Sequence, residues 1–322
     1  MTTTATDAVP AYEDVKAARE RVHGVVRPVP VLETDRGSFG TARVFLALDF
    51  TQSTGSFKDR GAANFTAAHL TAGTMPAAGV VIASGGNAGL ACAWAAQRNA
   101  IPATVFLPTT APAVKVAKLR TYGADVRQVG AEYAEAAAAA ARFAADTGAL
   151  ASHAYDDPYI AAGAGTLLGE IHAQVPGLDT VIVAVGGGGL FTGTAVAAHA
   201  LGVRVVAVEP ENCRALNAAI EAGEVVDVEV DSVAADSLGA RRVSRAALHW
   251  ARRTGARSVL VTDDAIRAAR QLLWDHRHLA VEHAAATALA ALTSGAYTPG
   301  DGERVAVVLC GANTDPSDLV TT

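Results

Sequence analysis

The chain has 322 residues, 51% hydrophobic and 18% charged, with a formal net charge of −6 at pH 7; that length is a soft prior for two domains and ample for a large buried core, and the composition lies outside the disordered regime. The acidic balance, with no basic stripe on any segment, argues against a nucleic-acid partner. The N-terminal MTTTATDAVP has no apolar core of signal-peptide length, no apolar run is long enough to span a membrane, and Cys92, Cys213 and Cys310 are dispersed with no CxxC, so a disulfide framework or zinc site is not expected and a reducing cytoplasm is the default.

In chain order the pattern predicts a strand over 43–48, a helix opening at Phe57, a strand over 79–83, a helix over 88–99, a strand over 103–107, a helix over 113–122, a strand over 125–129 and an Ala-rich helix over 132–147. A second series follows: strand 180–185, helix 192–201, strands 204–209 and 258–262, helix 264–276 and strand 304–309. Several strands are Val/Ile runs without polar alternation, as expected when both faces are covered. The βαβα order implies an α/β fold with mostly parallel sheet. Two strand groups, 79–129 and 180–309, suggest two sheets.

Four loops carry chemistry. In Ser53-Thr54-Gly55-Ser56-Phe57-Lys58-Asp59-Arg60-Gly61, Thr54 or Ser56 can cap the following helix. Lys58 then sits in its first turn, where the helix dipole disfavours positive charge and lowers the amine's pKa. That suits an imine-forming lysine, although locally a surface lysine on a capped helix explains it as well. Ser84-Gly85-Gly86-Asn87-Ala88-Gly89 joins a strand to a helix, a junction whose free N–H groups bind carboxylate or phosphate. A plain turn needs only its glycines, whereas a buried Asn87 amide needs partners.

Gly186-Gly187-Gly188-Gly189-Leu190 costs considerable backbone entropy, which makes sense where the main chain wraps a phosphate. The dinucleotide pattern G-x-G-x-x-G fails, because its third position falls on Phe191 or Thr192. The P-loop pattern fails as well, because Thr194 stands where Lys is required. Finally, Cys310-Gly311-Ala312-Asn313 ends a strand, where residues line the cleft of open α/β sheets; by itself such a cysteine is as readily a small core residue.

Together these motifs resemble the fold-type II pyridoxal 5'-phosphate (PLP) enzymes, and within them the serine/threonine dehydratases, especially the serine dehydratase branch. The resemblance runs from about Pro30 to Leu319, with TGSFKDRG, SGGNAGLA, VGGGGL and CGAN in the family's order. Ser232-Val233-Ala234-Ala235-Asp236-Ser237-Leu238-Gly239 is similar to the loop beside the cofactor ring. The stretch from Val281-Glu282-His283 to Leu292 is similar to the family's glutamate-led helix.

The resemblance implies a tryptophan synthase β-like fold of two domains, each a mostly parallel twisted sheet flanked by helices. A large cofactor domain would take 1–50 and 152–322, and a small domain 51–151 would carry the carboxylate loop. Lys58 would be the Schiff-base lysine and Phe57 would pack on the ring. Gly186, Gly187, Gly188, Gly189 and Leu190 would bind the phosphate, Asn87 the ring 3-oxygen, and Cys310 the pyridine nitrogen. Ser56, Ser84, Gly85, Gly86, Asn87, Ala88 and Gly239 would surround the substrate.

The implied activity is α,β-elimination from a β-hydroxy amino acid such as serine or threonine, giving a 2-oxo acid and ammonia, in a cytoplasmic homodimer. A thiol at the pyridine nitrogen makes a weaker electron sink than a pyridinium would be, which favours prompt loss of a β-leaving group. Gly85 stands where racemases of the group place a serine base. His283 replaces the usual Pro, and Thr287 stands among the alanines that follow. Glu209 matches a cation-binding glutamate, with Ala215 in place of a second carboxylate. A potassium or other monovalent ion at Glu209 and a glutamate that merely ends a strand are both open. No regulatory domain is expected after Leu319.

Overall fold

Unbroken apolar runs become central strands because parallel β-sheet is covered on both faces. In the computed structural model, which describes residues 8–320, the chain first enters one sheet through β1 (Val31–Glu33) and β2 (Arg43–Ala47). It then leaves to build a second sheet from β3 (Val80–Ala83), β4 (Ala103–Leu107), β5 (Asp125–Gln128) and β6 (Leu150–Ala151). It returns for β7 (Thr180–Ala184), β8 (Arg204–Pro210), β9 (Arg257–Val261) and β10 (Arg304–Val308). The six-stranded sheet has the order β1-β2-β10-β7-β8-β9 and the four-stranded sheet β5-β4-β3-β6. Every pairing is parallel except the edge pair β1–β2.

The α/β class and the two mostly parallel sheets follow the sequence pattern, with strand ends within a residue or two of expectation. Strands β1 and β6 are three and two residues long, too short for a periodic signal. The first seven residues of the polar N-terminal segment lie outside the described residues. Among those described, no helix is long and apolar enough to cross a membrane.

Three helices position the loops. Helix α2 (Lys58–Thr71) carries the lysine, α6 (Pro158–Gln174) follows β6, and α7 (Gly189–Leu201) follows the glycine run. They meet with almost no side chains between them. A Cβ on Gly163 of α6 would lie 2.5 Å from the Arg60 carbonyl oxygen of α2, and one on Gly165 would lie 2.6 Å from the Gly193 carbonyl oxygen of α7.

Beneath this contact the Arg60 side chain is fully buried. Its guanidinium donates to Asp49, itself fully buried, at 2.9 Å and to Glu170 of α6 at 2.6 Å. Burial with two carboxylates and the Thr166 hydroxyl (3.2 Å) satisfies a charge that would otherwise cost several kcal/mol. The other helices are α1 (Tyr12–Val22), α3 (Asn87–Arg98), α4 (Ala113–Thr121), α5 (Tyr133–Thr147), α8 (Ala215–Ala222), α9 (Ala235–Leu238), α10 (Arg245–Thr254), α11 (Asp263–Arg277) and α12 (His283–Thr293).

Candidate active site

The motif loops follow β2, β3, β7 and β10, at the carboxyl ends of parallel strands where open α/β sheets gather ligands. Helix α2 begins at Lys58, one residue later than the pattern suggested, and neither Thr54 nor Ser56 caps it. Instead the Thr54 N–H (2.9 Å) and hydroxyl both donate to the Asp59 carboxylate, folding the loop back onto the first turn. Ser56 is thereby released; it is fully buried, bridges to Gly311, and its Oγ has no hydrogen-bond partner. A buried hydroxyl in this state can bond a ligand atom; the Thr192 and Thr194 hydroxyls of α7 are buried in the same way.

Lys58 Nζ donates to the Ala154 carbonyl at 2.7 Å and lies 4.8 Å from the Phe57 ring centroid. Desolvation lowers its pKa from 10.5 to about 8, opposed by the nearby Cys310 and Glu282. The depression expected from the helix dipole thus comes mainly from burial. The Phe57 N–H donates to the Cys310 carbonyl at 2.9 Å, which seats the lysine beside the end of β10. Burial pushes the Cys310 thiol far above its ordinary range, so it stays a neutral S–H.

The glycine run wraps the other side. Helix α7 starts at Gly189, three residues earlier than expected, so the N–H groups of Gly189 and Leu190 belong to a first turn with no intrahelical acceptors. Gly188 has φ +96°, a conformation that L side chains rarely adopt, and a Cβ there would lie 2.5 Å from the Ala247 Cβ. A Cβ on Gly186 would lie 2.9 Å from the Leu238 Cα, and Gly187 and Gly189 press against Tyr155. Tyr155 adjoins Ala154, the acceptor of Lys58, so the amine and the glycine cradle share one wall. The cradle is all backbone, with N–H groups at a helix N-terminus, and can take a phosphate.

Asn87 opens α3, after a turn so tight that a Cβ on Gly89 would collide with the Ser84 carbonyl. At Gly86 a Cβ would meet nothing within 4 Å, so the approach is open at this residue, whereas a Cβ on Gly85 would lie 2.8 Å from Leu107 Cδ2. Asn87 Nδ2 donates to Glu282 Oε1 and Oε2 at 2.9 and 3.0 Å. Glu282 also accepts from Ser237 Oγ at 2.7 Å and from the Asn313 N–H at 2.8 Å.

Glu282, Ser237 and Asn313 were not among the residues expected in the site. Their signal was membership of the matched stretches, and only folding shows that these converge on one carboxylate. His283 follows Glu282 at the start of α12, where burial lowers its pKa. The Thr287 hydroxyl donates to the His283 carbonyl at 2.9 Å within the helix. Gly239 ends α9 in contact with the Ala235 carbonyl.

Glu209 stands apart. Fully buried at the end of β8, it accepts from the Leu216 and Asn217 N–H groups at 2.7 and 2.8 Å and so caps α8. Burial raises its pKa to about 8. Among the described residues no group of three or more His, Cys, Asp or Glu could hold a metal.

A desolvated amine, a backbone phosphate cradle, a neutral buried thiol and an unpartnered Ser56 hydroxyl fit the pyridoxal phosphate that the motifs imply. The comparisons agree. A family model described as pyridoxal-phosphate dependent enzyme matches residues 22–311. The phenylserine dehydratase of Ralstonia pickettii is 37% identical over 319 residues, covering 98% of this chain and 97% of its own. The L-threonine ammonia-lyase of Thermotoga maritima is 34% identical over 306 residues, covering 94% and 75%. Among solved structures, maize serine racemase superposes with a TM-score of 0.90 at 28% identity, over 97% of this chain and 96% of that one.

Proposed function

This chain belongs to the family of pyridoxal-phosphate dependent enzymes, and from that premise we propose that it is a dehydratase. It converts a β-hydroxy amino acid such as L-serine or L-threonine to a 2-oxo acid and ammonia by α,β-elimination. The observation that carries this proposal is the amine of Lys58, depressed to a pKa of about 8 and held between the Cys310 strand end and the glycine cradle. Pyridoxal phosphate, when bound, supplies the electron sink that acidifies the substrate Cα–H.

The chain's own residues do the rest. Lys58 would hold the cofactor as its Schiff-base lysine, and its free amine would take the substrate Cα proton on Nζ as general base. Gly186, Gly187, Gly188, Gly189 and Leu190 hold the phosphate through backbone N–H groups, and Phe57 packs on the ring. Asn87, at the start of α3, would face the ring 3-oxygen. Ser56, Ser84, Gly85, Gly86, Ala88 and Gly239 surround the substrate, with the N–H groups ahead of α3 receiving its carboxylate. The neutral Cys310 thiol would face the pyridine nitrogen and offer it no negative charge, which would favour prompt loss of the β-hydroxyl. Hydrolysis of the released enamine then gives the 2-oxo acid and ammonia.

Racemisation is the second reading, favoured by the likeness to maize serine racemase. Against it stands Gly85, which offers no side chain as a second base. Residues 51–151 form the small domain and 1–50 with 152–322 the large one, in a cytoplasmic homodimer that light scattering can test. A cation at Glu209 would use lone pairs left over from its capping bonds, and dependence of activity on potassium would reveal it. The deciding experiment is a panel of serine, threonine, phenylserine and 3-hydroxyaspartate assayed for ammonia and 2-oxo acid. Interconversion of enantiomers with no oxo acid formed would overturn the dehydratase proposal.

A further inference from the structure

Asn313 closes the CGAN motif, yet the mechanism gives it no task. Its position is unusual: it touches four separate elements. Its Nδ2 donates to Asn87 Oδ1 and to the Thr54 carbonyl, both at 2.7 Å, so it ties the carboxylate loop to the lysine loop. Its N–H donates to Glu282 at 2.8 Å. Its Oδ1 accepts from Lys118 Nζ, which reaches over from α4 beside the four-stranded sheet. Space is kept for this amide by Gly55, where a Cβ would lie 2.8 Å from Asn313 Oδ1.

The polarity of this chain of bonds is forced. An amide side chain has a donor end and an acceptor end and can be turned either way. Here Lys118 can only donate, while the Thr54 carbonyl and the Glu282 carboxylate can only accept. Asn313 must therefore point its oxygen at Lys118 and its nitrogen at Asn87. Asn87 in turn must offer its oxygen to Asn313 and its nitrogen to Glu282. Both Asn87 Nδ2 bonds run to the Glu282 carboxylate, so the direction of the whole amide is fixed by its neighbours.

We propose that Asn313 is a positioning residue that fixes the orientation of the Asn87 amide, and that Lys118 carries this constraint across from the four-stranded sheet. This rests on the proposed function only in that Asn87 faces the cofactor; it does not depend on which reaction follows. Asn313→Asp keeps the shape and the backbone donor but removes both Nδ2 bonds and sets an oxygen against Asn87 Oδ1. Lys118→Met keeps the aliphatic stem and removes the donor, whereas Lys118→Arg restores a donor.

The test reads the visible absorbance of the PLP-loaded enzyme, the pH dependence of that absorbance and the affinity for PLP. Asn313→Asp is expected to shift the spectrum or its pH dependence and to weaken PLP binding about 10-fold, the loss of one to two hydrogen bonds. Lys118→Met should have the same sense at about 2- to 5-fold, with Lys118→Arg returning the wild-type spectrum. Lys115→Met is the control: it removes the neighbouring bridge to Asp236 (2.7 Å) and should leave spectrum and affinity unchanged.

A wild-type spectrum and affinity in Asn313→Asp would overturn the proposal. So would a Lys115→Met variant that behaves like Lys118→Met. If Asn313→Asp does not fold, the Lys118→Met and Lys118→Arg pair decides. A wild-type protein that shows the PLP band but releases no oxo acid would sink the dehydratase assignment while leaving this test readable; one that shows no band would sink both.

Discussion

Adding a single methyl group at Gly188 tests the phosphate cradle more sharply than any loss of side chain, because the cradle has no side chains to lose. The substituted residue would have to hold φ +96°, a strain of about 1–3 kcal/mol for a residue other than glycine. Its Cβ would also lie 2.5 Å from the Ala247 Cβ and 3.0 Å from Val243 Cγ2, an overpacking cost of about 1–3 kcal/mol. If the loop yields rather than the packing behind it, the binding conformation is disfavoured by about 2–6 kcal/mol. At about 1.4 kcal/mol per decade, PLP affinity should fall roughly 30- to 20,000-fold. The assay is titration of the apo protein with PLP, followed by absorbance, with circular dichroism to show that the fold persists. A Gly188→Ala protein that binds PLP as tightly as the wild type would refute the assignment of this loop to the phosphate.

Lys58→Ala should abolish ammonia release and the PLP absorbance band while leaving the fold intact, since among the described residues the side chain makes one hydrogen bond, to Ala154; retained turnover would exclude Lys58 as anchor and base. Capture of PLP by the apo protein should quicken as pH rises toward about 8 and level off above it, because the protonated amine below its pKa of about 8 cannot attack an aldehyde. The folded pKa is depressed below the unfolded value of 10.5, so between about 8 and 10.5 the unfolded chain holds the extra proton. The contribution of Lys58 to stability therefore rises with pH across that window and is lost as pH falls through it; a capture rate independent of pH would contradict the depressed amine. Arg60→Met leaves the buried Asp49 carboxylate without its cation and should cost about 3–5 kcal/mol, seen as a lower urea midpoint. An unchanged midpoint would mean that the ion pair contributes nothing net.

Much of the fold was legible because parallel strands leave unbroken Val/Ile runs, as in β7 and β8, and because the linking helices are long. The chemistry-bearing loops were legible for a related reason: four successive glycines or an SGGN turn have few structural uses. What escaped was whatever depends on tertiary closure. The two-residue β6 has no periodicity to read. The end of α2 gave a choice of two capping side chains, and the structure uses neither, because Asp59 takes Thr54 from within the helix. Glu209 read equally well as a cation ligand or a strand end, and it caps α8. The convergence of Asn87, Ser237 and Asn313 on Glu282, with Asn313 also bonded to Asn87, joins positions up to 226 residues apart, which no local pattern can encode.

The glycines at 163, 165 and 193 do more than permit close packing. Because α2, α6 and α7 touch main chain to main chain, the distance from the amine on α2 to the anion cradle ahead of α7 is gauged by the thickness of two backbones. Side chains at such a contact can adjust their rotamers, whereas peptide planes cannot. A ligand gripped at both ends, with a rigid ring between, needs a jig of that kind. Its fit can consequently be altered from within the helix stack, at positions that never touch it.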